Sequence, residues 1–230
     1  MRITAKASLR ALLTAVLLSP AALAQPDADT VISGMQATLD STAGAAFLVT
    51  GELLGGDGTT YQLEIEVEAL TEEQIIRLFI IQPDALADNF IIVTPTDLWN
   101  YNWLTNQIVV YDASDPQAYG PLGDGGSFEL TLDLASLFAG WDSQLSGSVS
   151  TPAGPALQLD LTNRDPQANI AAATVLALED DYLPAQITLF TAAGDTMLRI
   201  AFSEFNLAPG LAADDLLWYP PDAELVDERR

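Results

Sequence analysis

Residues 59–70 read TTYQLEIEVEAL. From Tyr61 onward an apolar side chain stands at every second position, through Leu63, Ile65, Val67 and Ala69, while Gln62, Glu64, Glu66 and Glu68 fill the gaps. A β-strand sends successive side chains to opposite faces, so this segment predicts a strand with one apolar face and one wet face. Upstream, Gly55, Gly56, Asp57 and Gly58 form a turn in which glycine supplies positive φ. That turn leads back to a second strand over 45–54, giving a hairpin.

The same reading extends in both directions. Strands are predicted over 74–81, 89–93, 98–101 and 107–111, with breaks at Pro83, Pro95 and 102–106. A Gly-, Pro- and Asp-rich loop follows at 115–126. Over 128–145, Leu130, Leu134, Leu137, Phe138 and Trp141 fit a helical face better than strict alternation, which predicts a short helix. Strands resume over 156–163, 171–178, 183–191 and 196–206, with Ala193, Gly194 and Asp195 as another hairpin turn. Ahead of all of these, Val31, Ile32, Met35 and Leu39 share one face of a short amphipathic helix with acids and a threonine before it as caps. The expected fold is therefore mainly β, in the α+β sense: a curved antiparallel sheet forming an incomplete, unclosed barrel covered by short lid helices. A flat sheet of this length would leave an apolar face bare.

The N-terminus carries Arg2, Lys6 and Arg10 without an acid, then an apolar run too short to span a bilayer, then Ala22, Leu23 and Ala24. This is the layout of a cleavable secretory signal, so residues 1–24 are read as a signal peptide and 25–230 as one exported domain. All 32 acids lie after residue 24. Only five arginines do, a net charge of about −27 for the exported part. Such a surface repels nucleic acid and anionic headgroups alike, so nucleic acid is excluded as a partner.

Chemistry is bounded as tightly. There is no histidine and no cysteine, which removes the Ser-His-Asp, Cys-His and thiolate- or His-metal arrangements together with disulfides. Carboxylates can catalyse in pairs, as in glycosidases, but no short motif marks a pair here. The clusters Glu179, Asp180, Asp181 and Asp214, Asp215 read as solvated turns, and GDGG at 123–126 lacks the spaced ligands of a calcium loop. No enzyme, cofactor or metal is expected. What stands out is 97–112, DLWNYNWLTNQIVVYD, with Trp99, Tyr101, Trp103 and Tyr111 inside sixteen residues. Trp99 and Tyr101 share a strand face and Trp103 falls in the following turn. Periodicity leaves open whether they fill a core or line a pocket.

Three stretches taken in order resemble LolA-type periplasmic lipoprotein carriers. They are IIRLFIIQPDALADNFIIVTPTDLWNYNWLTNQIVVYD at 75–112, LEDDYLPAQITLFTAAGDTMLRIAFSEFNL at 178–207, and LLWYPPDAELV with its double proline at 216–226. The resemblance implies an unclosed barrel with a helical lid around an apolar cavity for acyl chains, at a periplasmic location, with a secreted exterior as the alternative. It implies a cavity lined by Leu63, Ile65, Val67, Leu78, Ile80, Ile92, Trp99, Tyr101 and Trp103. It also implies lipoprotein acyl chains or lipid as ligand, an inner-membrane release transporter and an outer-membrane acceptor as partners, and a monomer. In one place the chain departs from those carriers: Gln82 stands where a basic residue before the proline helps latch the lid, and the nearest arginine is Arg77. The expected function is a carrier of acylated molecules. A sensor or protein-interaction module with a filled core is the second reading, and a carboxylate-dependent hydrolase the third.

Overall fold

The computed structural model describes residues 26–55, 58–115 and 138–229. Helix α1, Ala28–Asp40, opens it, and the Asp27 carboxylate caps it by accepting from the Thr30 N–H at 2.8 Å. Six strands then follow as a meander: β1 Gly44–Leu54, β2 Thr60–Leu70, β3 Ile75–Gln82, β4 Phe90–Val93, β5 Asp97–Asn102 and β6 Gln107–Asp112. A second meander comprises β7 Trp141–Thr151, β8 Gly154–Asn163, β9 Ile170–Leu178, β10 Pro184–Thr191 and β11 Thr196–Asn206. A short helix, α2 Ala213–Leu216, and β12 Glu224–Asp227 close the chain. Each predicted strand is present within two residues of its expected bounds.

The helix expected over 128–145 requires a correction. Residues 128–137 lie outside the described residues, but Trp141 and Leu145 belong to strand β7. The half-buried positions of β7 are Trp141, Ser143, Leu145, Gly147, Val149 and Thr151, alternating with exposed Asp142, Gln144, Ser146, Ser148 and Ser150. Serine, glycine and threonine at three of the six sheltered positions interrupt its apolar alternation. What remained, the spacing of Leu137, Phe138, Trp141 and Leu145, imitated a helical face.

All twelve strands form one sheet in the order β12-β6-β5-β4-β3-β2-β1-β11-β10-β9-β8-β7. Every pairing is antiparallel except β12 on β6. Among the described residues the two meanders pair where β1 meets β11, through Val49 opposite Phe202 and Gly51 opposite Ile200. Strands β12 and β7 are the two edges, so the curved sheet is not closed into a barrel.

Directly paired residues point to the same side of a sheet, so the faces can be followed from strand to strand. Leu159 is opposite Val175, Val175 opposite Ile187, and Ile187 opposite Ile200. Ile200 is opposite Gly51 and Gly51 opposite Leu63. Along this inner face α1 packs Ala28, Val31 and Met35 onto Leu157, Leu159, Leu161, Ala173, Val175 and Leu189. The reverse, outer face of β3–β6 is covered by the C-terminal segment. Leu216, fully buried on α2, joins Ile75, Phe90, Ile92, Tyr101, Ile108 and Val110, with Leu211, Leu217 and Tyr219 packed around them. Leu216→Ala is expected to cost about 2–5 kcal/mol, since the removed side chain leaves a cavity with no solvent to fill it. Chemical denaturation monitored by tryptophan fluorescence measures this.

The outer face of β7–β9 is tied by a carboxylate. Asp160 accepts from Ser146 on β7, from Gln158 at 2.9 Å and from Thr174 on β9 at 3.2 Å. Burial acts to raise its pKa, but these hydrogen bonds outweigh it and hold the carboxyl below the usual carboxylate range. A depressed native pKa stabilises the fold above the unfolded-state value and loses that contribution as pH falls through the native one. Asp160→Asn is therefore expected to be less stable than the parent at neutral pH, with the difference shrinking as the carboxylate protonates. Parallel denaturation series at pH 7 and at the acid end of folding check it.

Candidate functional site

The inner face has two unlike halves. Under α1 it is filled, with Leu159, Val175 and Ala177 fully buried. Beyond α1, over β11, β1, β2, β3 and β4, it carries a second apolar cluster. Val49, Val67, Ala69, Ile76, Val93 and Leu98 form its base, and Phe47, Ile65, Leu78, Ile91, Tyr111, Ile200 and Phe202 stand half-buried around it. No residue of α1 belongs to this cluster. Phe47 anchors one side, its ring 5.9 Å from Phe202 and 5.4 Å from Phe205. The second half is the candidate site: a concave run of aliphatic and aromatic side chains with no charged group among its members, suited to a hydrocarbon ligand.

The structure divides the nine residues expected to line one cavity. Leu63, Ile65, Val67, Leu78 and Ile80 share the inner face, because Ile65 pairs with Ile80, Val67 with Leu78 and Leu63 with Gly51. Ile92, Trp99 and Tyr101 point the other way. Ile92 is opposite both Arg77 and Trp99, and Tyr101 is opposite Phe90, all on the outer face. There Tyr101 stacks on Phe90 at 4.6 Å, and Trp99 lies 5.6 Å from Tyr219 with its indole N–H buried and without a hydrogen-bond partner among the described residues. Trp103 is in the exposed β5–β6 turn. These four residues are corrected as lining of the inner cavity. Register is the cause, since β5 carries its large aromatics at the positions that face outward and the C-terminal segment folds back to bury them.

Sequence reasoning missed Phe47, Ile91, Ile200 and Phe202. Alternation within the 45–54 hairpin arm and the 89–93 strand carried a local signal for the first two. Ile200 and Phe202 reach the site only through the β1–β11 junction, a pairing across some 150 positions of chain.

Arg77 does not face α1. It lies on the outer side, its Nη1 donating to the Asp215 backbone oxygen at 3.0 Å and its guanidinium 4.7 Å over the Phe90 ring. Burial pushes its pKa down, opposed by the charge of Glu68 on the neighbouring strand. It thus fastens α2 to the sheet. Glu179, Asp180 and Asp181 are exposed in the β9–β10 connection, whereas Asp214 and Asp215 sit on α2 and not in a turn. GDGG at 123–126 lies outside the described residues. Among the described residues no group of three or more His, Cys, Asp or Glu is placed to hold a metal ion. A separate cleft of about 490 Å³ opens where α1 meets β7, between Ile32, Trp141 and the Arg164–Asp142 ion pair. Arg164 is engaged there as a strut, donating to Asp142 at 2.7 Å and to the Ala139 and Trp141 carbonyls.

The curved sheet with a helix over part of its inner face is shared with known structures. An uncharacterized conserved protein from Thermus thermophilus superposes with a TM-score of 0.64 at 23% identity, over 88% of this chain and 99% of its own. MucB superposes with a TM-score of 0.57 at 17% identity, over 86% of this chain and 65% of MucB. The fold is shared with part of MucB. MucB has also been solved in complex with MucA(peri), where the match is 0.50 at 17% identity over 87% and 62% of the two chains. The chain thus spans about two thirds of the MucB length. A LolA superfamily protein from Nitrosomonas europaea matches more loosely, with a TM-score of 0.42 at 12% identity over 84% of this chain and 98% of its own. At these identities the likeness is one of fold. No family model and no curated protein sequence matches the chain.

Proposed function

We propose that the chain is an exported, non-enzymatic carrier that takes up acyl chains of lipoproteins or other lipids on the second half of its inner face and moves them across the periplasm. The observation that carries this reading is the half-buried apolar cluster around Phe47, Ile65, Leu78 and Ile200, which α1 leaves uncovered while filling the other half. Each methylene transferred from water to such a surface gains about 0.8 kcal/mol, so an acyl chain binds there without a charged contact. A site of that kind does not empty itself, so release requires a competing acceptor, and an inner-membrane transporter and an outer-membrane acceptor are the partners the proposal calls for. The absence of histidine and cysteine supports a binding role over a catalytic one. No helix among the described residues is long and apolar enough to cross a membrane, which fits a carrier that works between membranes.

The test is native mass spectrometry of protein purified from a periplasm, followed by organic extraction. A bound acyl species is expected. A protein that is empty and also rejects added acyl probe at micromolar concentration sinks the carrier reading. It would favour the second one, a protein-interaction module of the same fold, for which the specific observation is that MucB has been solved with MucA(peri) on it.

A further inference from the structure

We propose that the 103–106 turn is a docking point for a neutral, zwitterionic lipid surface, with Trp103 and Leu104 inserting into its headgroup region. This rests on the outside of the molecule and not on the acyl-binding reading of the inner face. Trp103 is 59% exposed and Leu104 84%, side by side at the tip of the β5–β6 hairpin.

The tip is held out by its framework. The Trp103 N–H donates to Asn89 Oδ1 at 2.8 Å, and the Thr105 N–H to Asn102 Oδ1 at 3.2 Å. Asn106, at φ +51°, closes the turn by donating its N–H to the Trp103 carbonyl at 3.3 Å. Its side chain accepts from the Tyr101 hydroxyl at 3.1 Å and donates to the Asp222 carbonyl at 3.1 Å. Three hydrogen bonds within the hairpin and two to neighbouring segments, at Asn89 and Asp222, thus keep an indole and an isobutyl group in water, where each costs apolar hydration. On the adjacent β3–β4 connection Leu86 is also exposed, at the same end of the sheet.

Charge decides the kind of surface. Residues 98–111 contain no charged side chain in a chain with 32 acids, so the tip enters an interface without dehydrating a carboxylate. Acids stand on the flanking segments: Asp84 and Asp88 on the β3–β4 connection, Asp222 just ahead of β12 and Glu224 at its start. These repel anionic headgroups, as does the net charge of about −27 on the exported part. A two-residue tip is far below the roughly 800 Å² per partner of a stable protein interface. It matches instead what interfacial anchoring needs, an amphipathic tryptophan at headgroup depth beside an aliphatic chain.

The experiment is flotation of the exported chain with phosphatidylcholine vesicles and with vesicles containing phosphatidylglycerol, at low and high salt. Expected are co-flotation with phosphatidylcholine and weaker flotation with phosphatidylglycerol at low salt that recovers as salt screens the repulsion. Trp103→Ser with Leu104→Ser should lower partitioning about tenfold or more. Trp218→Ser, which removes a similarly exposed tryptophan (57%) elsewhere, should leave it unchanged. Ile80→Asp, on the inner face, should float like the parent even if it no longer binds acyl probe, which separates docking from uptake. No flotation with phosphatidylcholine, or a double variant that is folded by circular dichroism and floats like the parent, overturns the proposal. So does phosphatidylglycerol binding at low salt as strong as phosphatidylcholine binding.

Discussion

Gly51→Ala is expected to destabilise the protein by about 3 kcal/mol or more, lowering the thermal midpoint by about 6–12 °C. A Cβ built at Gly51 lies 2.0 Å from the Arg199 backbone oxygen and 2.8 Å from the Ile200 Cα. Both are main-chain atoms of β11, so no rotamer can move them aside. The strands would have to separate, and among the described residues β1–β11 is the only strand pairing that joins the two meanders. Local adjustment therefore becomes loss of the seam. Gly140→Ala is the matched control, with nothing within 4 Å of its added methyl, and should stay within about 0.5 kcal/mol of the parent. Thermal denaturation of the pair measures the difference. Equal midpoints would show that the junction is looser than its geometry.

The second large effect concerns the ligand. Ile80→Asp is expected to weaken binding of a fluorescent acyl probe about a hundredfold, because a carboxylate among Ile65, Leu78 and their neighbours must be dehydrated when a hydrocarbon chain arrives. Ile80 is only half-buried, so the fold should tolerate the change. Trp99→Ala is the counterpart. Trp99 stands on the outer face against Tyr219, so its loss should lower stability and leave probe affinity unchanged. The reverse pattern, affinity lost with Trp99 and kept with Ile80→Asp, would place the ligand under the C-terminal segment instead of on the inner face.

These two predictions trace how far the sequence could be followed. Alternation in 59–70 named the inner residues Leu63, Ile65 and Val67 correctly as one face, because the period of a strand is a local property. Alternation in 97–102 was equally clear, and Trp99 and Tyr101 do share a face. Which face it was could not be read there, since a strand's pattern says only that two sides differ. The large aromatics invited assignment to a ligand cavity, whereas the covering segment that claims them, 211–223, lies more than a hundred positions along the chain. Strand β7 failed for the opposite reason: its serines and Gly147 left too little apolar contrast for any local period to show.

The sequence by itself determined ten of the twelve strands, the capped amphipathic helix, the turns at Gly58 and Gly194, the acidity and the loss of histidine and cysteine chemistry, all of which follow from neighbouring residues or from counts. Only the tertiary structure decided which faces meet. The β1–β11 seam sets Phe47 beside Phe202, α1 fills one half of the inner face and leaves the other, and the tail takes the outer aromatics. Those outcomes rest on pairings between distant segments, where register and burial are settled by the whole sheet and not by any stretch of it.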